Sequence, residues 1–301
     1  MTKRISACVL AIFCLLMPLS VQAEELNTEQ LCNLTLEYSR EGVAFADVEV
    51  AIYRVAEAHT DGSYDLIAPY DAYSVNIHGI TSQKEWQDVA ATLTAYITAN
   101  GAEPTASGVT DKAGEVVLSD LPVGLYLVQG ARAENEKGTY VFREFMIYLP
   151  TPAEDGTYQY DLRAKPKCHR YTPTENYRVV KLWKDTGSAL RPDEVVVDIY
   201  KNGALHETVS LNGNNGWSYE WTDKEQARWQ VTERDVPEGY QVSVTNHETV
   251  FTITNANPDA PPPPPATGDS FPWLMWVVIV CLVGFALVLV ALWGQRYEKT
   301  K

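Results

Sequence analysis

Positive charge is scarce in this 301-residue chain. It carries 24 Lys and Arg against 39 Asp and Glu, a formal net charge of −15. Residues 1–23 and 269–301 contribute five of the basic and two of the acidic residues. The body between them keeps 19 basic and 37 acidic residues, a net of −18. Such a body repels polyanions, which argues against nucleic acid and against an anionic bilayer surface as partners. Histidine is sparse as well: His59, His78, His169, His206 and His247 stand singly. There is no His/Cys spacing suited to a metal, no Gly-rich phosphate loop and no nucleophile elbow. The sequence therefore predicts no metal, no cofactor and no enzyme acting on an outside substrate.

Cysteine is rare too. Of five, Cys8 and Cys14 precede residue 23 and Cys281 lies in an apolar run, leaving Cys32 and Cys168 in the body. Two cysteines in an oxidising compartment predict one disulfide. Cys32 and Cys168 bracket the first folded region, which suits a staple between first and last strands. Closing so long a loop contributes about 4–5 kcal/mol in the chain-entropy model.

Long uncharged runs are confined to the two ends. Lys3 and Arg4 precede an apolar run from Ala7 to Leu19 and then Val21-Gln22-Ala23. That is the pattern of a secretory signal peptide over residues 1–23. At the other end, residues 271–294 carry no charge, Trp273, Trp276 and Trp293 flank the run, and Arg296, Lys299 and Lys301 follow it. The length and the aromatic ends predict a transmembrane helix, and the basic tail, 295–301, predicts a cytoplasmic C-terminus. A proline run, Pro261 to Pro265, precedes the span inside a stalk at 258–270 and makes a stiff spacer. The order of Pro264-Pro265-Ala266-Thr267-Gly268, apolar span and basic tail resembles the cell-wall sorting signal of Gram-positive surface proteins, with Pro264 in the position of a leucine. That resemblance implies a sortase as partner, cutting between Thr267 and Gly268 and joining Thr267 to an amine. The membrane is then a temporary partner, through a single-span intermediate.

The body divides by composition into a first region, 24–168, a polar linker, 169–176, and a second region, 177–257. Val48, Val50 and Ile52 alternate with polar neighbours, a half-buried strand. Glu115 to Leu118, Leu125 to Gln129, Tyr140 to Leu149 and Tyr158 to Ala164 read as further strands. Ser82-Gln83-Lys84-Glu85 reads as a capping box. Trp86, Val89, Ala90, Leu93, Tyr96 and Ile97 then recur at helical spacing until Asn100-Gly101, which predicts one amphipathic helix used for packing. In the second region short strands recur about every ten residues, the pattern of a β-sandwich. Asn212 to Gly216 reads as a hairpin turn.

Counting by twos places three polar residues on apolar faces. Lys181 follows Val179, Glu233 follows Trp229 and Val231, and Asn255 follows Phe251 and Ile253. Lys and Glu are almost never fully buried unless paired, so the three are expected to meet. Burial lowers a Lys pKa and raises a Glu pKa, and a neutral amine is a nucleophile. Lys181 beside the Asn255 carboxamide can attack it and release ammonia, leaving an amide between first and last strands.

Val179-Val180-Lys181-Leu182-Trp183, Arg191-Pro192-Asp193, Trp217 to Thr222, Val236-Pro237-Glu238-Gly239-Tyr240 and Phe251 to Asn255 resemble the collagen-adhesin B-type (CnaB) repeat domain. The resemblance implies an intramolecular isopeptide bond between Lys181 and Asn255, with Glu233 assisting. Gly108 to Asp111, Leu121 to Tyr126 and Tyr160 to Lys167 of the first region resemble the N-terminal domain of Gram-positive pilins. There Glu37 holds the first-strand lysine position, and Gln129-Gly130 the acid position. The implied fold is mainly all-β, two tandem Ig-like or prealbumin-like sandwiches, the first with one inserted helix. The implied function is structural: a cell-surface pilus subunit, covalently polymerised or anchored by sortase. Lys167 would be the acceptor for the next subunit, and the partners are neighbouring pilin subunits or a peptidoglycan precursor. The alternative is a monomeric wall-anchored adhesin or accessory pilin binding a host or matrix ligand.

Overall fold

The computed structural model describes residues 25–153, 155–171, 176–185, 191–225, 227–247 and 249–257. The expected signal peptide, the expected sorting motif Pro264–Gly268, the apolar span and the basic tail lie outside these residues. Among the described residues no helix is long and apolar enough to cross a membrane.

The described residues are built mainly of strands, with one α-helix. In the first region β1 (Cys32–Glu37), β2 (Glu49–Ala58), β3 (Glu115–Leu121), β4 (Gly124–Gly130), β5 (Gly138–Phe142), β6 (Phe145–Leu149), β7 (Asp161–Ala164) and β8 (Cys168–Arg170) follow in order. One sheet has the order β7-β1-β3 and faces a second that contains β6-β4-β2; a third pairs β8 with β5. Val48, Val50 and Ile52 are buried as alternation requires. The stretch 140–149 is two strands in different sheets, broken at Arg143 and Glu144.

Helix α1 (Gln83–Asn100) starts and stops where its chemistry dictates. The Ser82 side chain accepts from the Glu85 N–H, and the Glu85 carboxylate accepts from the Ser82 N–H. Gly101 closes it in the left-handed region, φ 61°, donating to the Ile97 carbonyl. Its buried set runs from Val89 through Ile97 and includes Thr92, Thr94 and Ala95, more than one amphipathic face. The cause is a second partner: α1 packs on strands of both regions.

The second region contains β9 (Asn176–Lys184), β10 (Glu194–Lys201), β11 (Ala204–Asn212), β12 (Ser218–Thr222), β13 (Trp229–Glu233), β14 (Gln241–His247) and β15 (Val250–Ala256). Two sheets result, β12-β9-β15-β14 and β11-β10-β13. First and last strands, β9 and β15, lie side by side and parallel, with Lys181 opposite Ile253 and Trp183 opposite Asn255. In the first region β1 and β7 repeat that arrangement, Leu36 lying opposite Ala164.

Strand β14 is a sheet edge, and the first region covers it. Its Val242 N–H donates to the Ser74 carbonyl at 3.0 Å, and its Val244 N–H to Thr92 Oγ1 at 2.8 Å. An open edge is a template for unwanted pairing; here its alternate donors are used. One cluster of buried side chains therefore runs through both regions, from Tyr53, Leu93 and Ile97 to Val179, Val197 and Ile253. The described residues up to Lys184 and from Arg191 to Asn257 belong to one compact unit.

The expected disulfide is not present: Cys32 and Cys168 are free. The parallel register explains why. Cys32 begins β1, whereas Ala164 already lies beside Leu36, four residues further along, roughly 13 Å away at strand rise. Cys168 continues in that direction, and its carbonyl accepts from Arg40. A bridge requires Cα atoms within about 7 Å. The ends of β1 and β7 are tied instead by a Lys165–Glu37 ion pair, 3.0 Å.

Candidate functional site

Lys181 on β9, Glu233 on β13 and Asn255 on β15 meet in the interior between the two sheets of the second region. Their residues are 2%, 0% and 0% exposed. Strand parity puts each there: Val179, Val231 and Ile253, two positions earlier on their strands, are each fully buried. Asn255 sits one pleat beyond Lys181 on the neighbouring parallel strand, and Glu233 reaches in from the facing sheet.

The carboxylate of Glu233 lies between the other two groups. Its Oε2 is 3.4 Å from Lys181 Nζ, and its Oε1 accepts a hydrogen bond from Asn255 Nδ2 at 2.8 Å. Lys181 Nζ also donates to the Leu182 carbonyl at 3.2 Å and stands 4.1 Å from the centre of the Trp183 ring. Trp183 is itself fixed edge-on by Trp217 and Tyr240. Trp217 holds φ 57°, a left-handed conformation uncommon for a bulky residue, and its carbonyl accepts from the Lys181 N–H. Burial pushes the Glu233 carboxyl above its ordinary range, against the opposing pull of the Lys181 charge and the Asn255 hydrogen bond.

This arrangement has a defined chemical capacity. A carboxylate with one oxygen at an amine and the other at a carboxamide nitrogen can take a proton from the first and deliver it to the second. The amine freed of its proton attacks the Asn255 carboxamide carbon. The attacking nitrogen gives up a second proton to the Glu233 carboxylate, the carbon–nitrogen bond to Nδ2 breaks, and Nδ2 leaves as ammonia carrying the first shuttled proton, with the second following it out as ammonium. Burial favours the first transfer, which leaves a neutral amine beside a neutral carboxyl.

Parity reasoning missed two neighbours of this site. Tyr96 of α1 donates its hydroxyl to the Glu233 carbonyl at 3.0 Å and stacks on Tyr73. In the sequence Tyr96 is one more apolar position of the helical period, so nothing marks it as touching Glu233. Trp217 belongs by alternation to the strand of Tyr219 and Trp221; its positive φ carries no sequence signal.

The other expected residues lie elsewhere. Lys167 is exposed between β7 and β8, and its carbonyl accepts from the Arg143 N–H. Glu37, in the lysine position of the first region, is half-buried and paired with Lys165. Gln129 donates to Thr94. Cys32 is buried, and burial pushes its thiol up to about 11.

The Cna protein B-type domain family matches residues 177–256. Among characterised proteins, a collagen adhesin of Staphylococcus aureus is 30% identical over 111 residues, covering 34% of this chain and 9% of the adhesin. The chain thus spans about a tenth of the length of that relative. A single B repeat unit of the S. aureus collagen-binding surface protein is 18% identical, covering 77% of this chain and 100% of the repeat, with a TM-score of 0.26. The major pilin SpaD of Corynebacterium diphtheriae is 10% identical, covering 77% and 99%, with a TM-score of 0.32. The shaft pilin SpaA of Lactobacillus rhamnosus GG is 14% identical, covering 77% and 100%, with a TM-score of 0.28.

Proposed function

We propose that this chain, with its Cna B-type domain over residues 177–256, is a structural surface protein of the Gram-positive pilin and adhesin class, cross-linked internally between Lys181 and Asn255. The observation that carries this reading is the placement of the Glu233 carboxylate: 3.4 Å from the Lys181 amine and 2.8 Å from the Asn255 amide nitrogen, in an interior closed to water. A residual buried ion pair alone would leave the carboxamide contact without purpose. The amide ties β9 to β15, the first and last strands of the second region, so a pull along the chain meets a covalent bond rather than a zipper of hydrogen bonds.

Export by residues 1–23, retention by 271–294 and cutting by a sortase at Thr267-Gly268 complete the reading. Lys167, exposed beyond β7, is the acceptor amine for the Thr267 of the next subunit. Intact-mass measurement tests the internal bond: the folded chain is expected to weigh one ammonia less than its sequence, and Glu233→Ala is expected to keep the full mass. A full-mass wild type ends the proposal. Polymerisation has a separate readout. Boiling-resistant ladders of wall protein are expected in the wild type and absent in Lys167→Ala; a single wall-bound species in both leaves the monomeric adhesin or accessory pilin.

A further inference from the structure

A cleft of about 750 Å³ opens where α1, β5, β8, β13 and β14 converge, wholly within the compact unit. Its charge is the reverse of the chain's. Lys84, Arg132, Arg143, Arg170 and Arg228 line it against only Asp88 and Glu144, a net of +3 in a chain of net −15. Lys84 is bound to Asp88 at 2.7 Å. Among the described residues Arg143, Arg170 and Arg228 form no ion pair with a carboxylate.

One of the five is built into the wall. Arg132 is half-buried, donates to the Ala227 carbonyl at 2.8 Å, and lies over the Tyr171 ring at 4.9 Å. Burial, followed by the charge of Arg228, pushes its guanidinium below the ordinary range, opposed by Tyr171. An incompletely solvated cation of this kind gains from an incoming anion. The remaining lining is aromatic or neutral and polar: Tyr171 offers a ring face, while Gln87, Gln230, Thr245 and Asn246 offer donors and acceptors.

We propose that this cleft binds an anionic oligosaccharide, one whose sugar rings carry sulfate or carboxylate groups. Guanidinium groups match such oxyanions in a bidentate fork. Aromatic faces and side-chain amides suit the ring faces and hydroxyls of a sugar. An acidic peptide is the less apt occupant. The usual way to seat an extended peptide is to add it to a sheet edge, and the β14 edge beside the cleft already spends its Val242 and Val244 donors on the first region. General attraction is no substitute for a site here, because the chain as a whole repels polyanions. The inference stands on this cleft alone and does not depend on the internal amide or on wall anchoring.

The test is calorimetric titration of the purified full chain with a sulfated glycosaminoglycan hexasaccharide, beside a neutral hexasaccharide and a poly-glutamate peptide of equal charge. Arg143 and Arg170 are exposed, so replacing them leaves the fold intact. Binding of the sulfated sugar is expected, weakened at least about tenfold by Arg143→Glu and by Arg170→Glu, and weakened to a smaller extent by Arg143→Lys, which keeps the charge but loses the fork. Lys112→Glu, an exposed site outside the cleft with the same change in net charge, is expected to leave binding unchanged. Any of four results overturns the proposal: no binding, equal loss in Lys112→Glu, equal binding of the neutral sugar, or tighter binding of the peptide.

Discussion

Glu233 concentrates the energetics of the second region in one side chain. With the amide formed, Glu233 is the remaining ionisable member of the group; without it, Glu233 and Lys181 depend on each other. Lys181→Met keeps the volume and removes both the bond and the cation. Burial then acts on Glu233 without its main opposing charge, so its folded pKa rises further above the ordinary 4.5. A carboxyl raised in the folded state contributes stability that is full below its unfolded pKa and lost as pH rises through the folded one. Lys181→Met is therefore expected to lose thermal stability progressively as pH rises above the ordinary 4.5, relative to Lys181→Met/Glu233→Gln, which removes the titration. Melting curves of the two variants that run parallel above that pH would refute the account. The single change Glu233→Ala strands the Lys181 ammonium in the interior and is expected to cost about 3–5 kcal/mol in denaturant unfolding. The identity of all three residues was legible from strand parity, because an inward polar side chain among Val, Ile and Phe is a conspicuous exception. What they touch was not: the 3.4 and 2.8 Å contacts depend on how two sheets face each other, and periodicity within a strand carries no information about the strand opposite.

Helix α1 shows the same division at the level of an element. Its ends were written in the sequence, Ser82 and Glu85 at one and Gly101 at the other, because caps are local chemistry. Its second partner was not, because Thr92 and Tyr96 reach residues about 140–150 positions away. The break at Arg143 was within reach: Tyr140 and Phe142 point inward at even positions, Leu149 at an odd one, and such a change of parity requires a slip between sheets. The cysteine expectation failed at this scale, since a parallel neighbour runs its far end away from the start of β1. Thr92→Val tests the edge cover directly. The methyl replaces the hydroxyl at equal volume and leaves the Val244 N–H without its acceptor. A loss of about 1–3 kcal/mol is expected, the cost of an unsatisfied buried donor. Amide exchange gives the specific signature: faster exchange at Val244 and no change at Ile253, which lies in a strand paired on both sides. Equal acceleration at both would mean general loosening instead.

Taken as a whole, the molecule looks from its sequence like two beads on a linker, and the folded chain departs from that picture. His169 and Arg170, at the start of the expected linker, continue from Cys168 as β8 and pair with β5, and one buried cluster spans both regions. Composition marks where polar residues accumulate; it does not mark whether an edge on one side of them is satisfied from the other. The consequence is thermodynamic. The second region, cut out as residues 176–257, retains Lys181, Glu233 and Asn255 but loses Ser74, Thr92 and Tyr96, so β14 becomes an open edge. Loss of even about 1 kcal/mol lowers the melting temperature of a domain this size by about 4–8 °C. The excised region is thus expected to melt at least that far below the same residues in the longer chain. It is also expected to self-associate through β14, as exposed strand edges do. Residues 25–257 together are expected to unfold in one calorimetric transition, with the calorimetric and van't Hoff enthalpies equal. Two separable transitions, the upper one coinciding with that of the excised region, would show that the shared core contributes no coupling and that the two regions are independent domains after all.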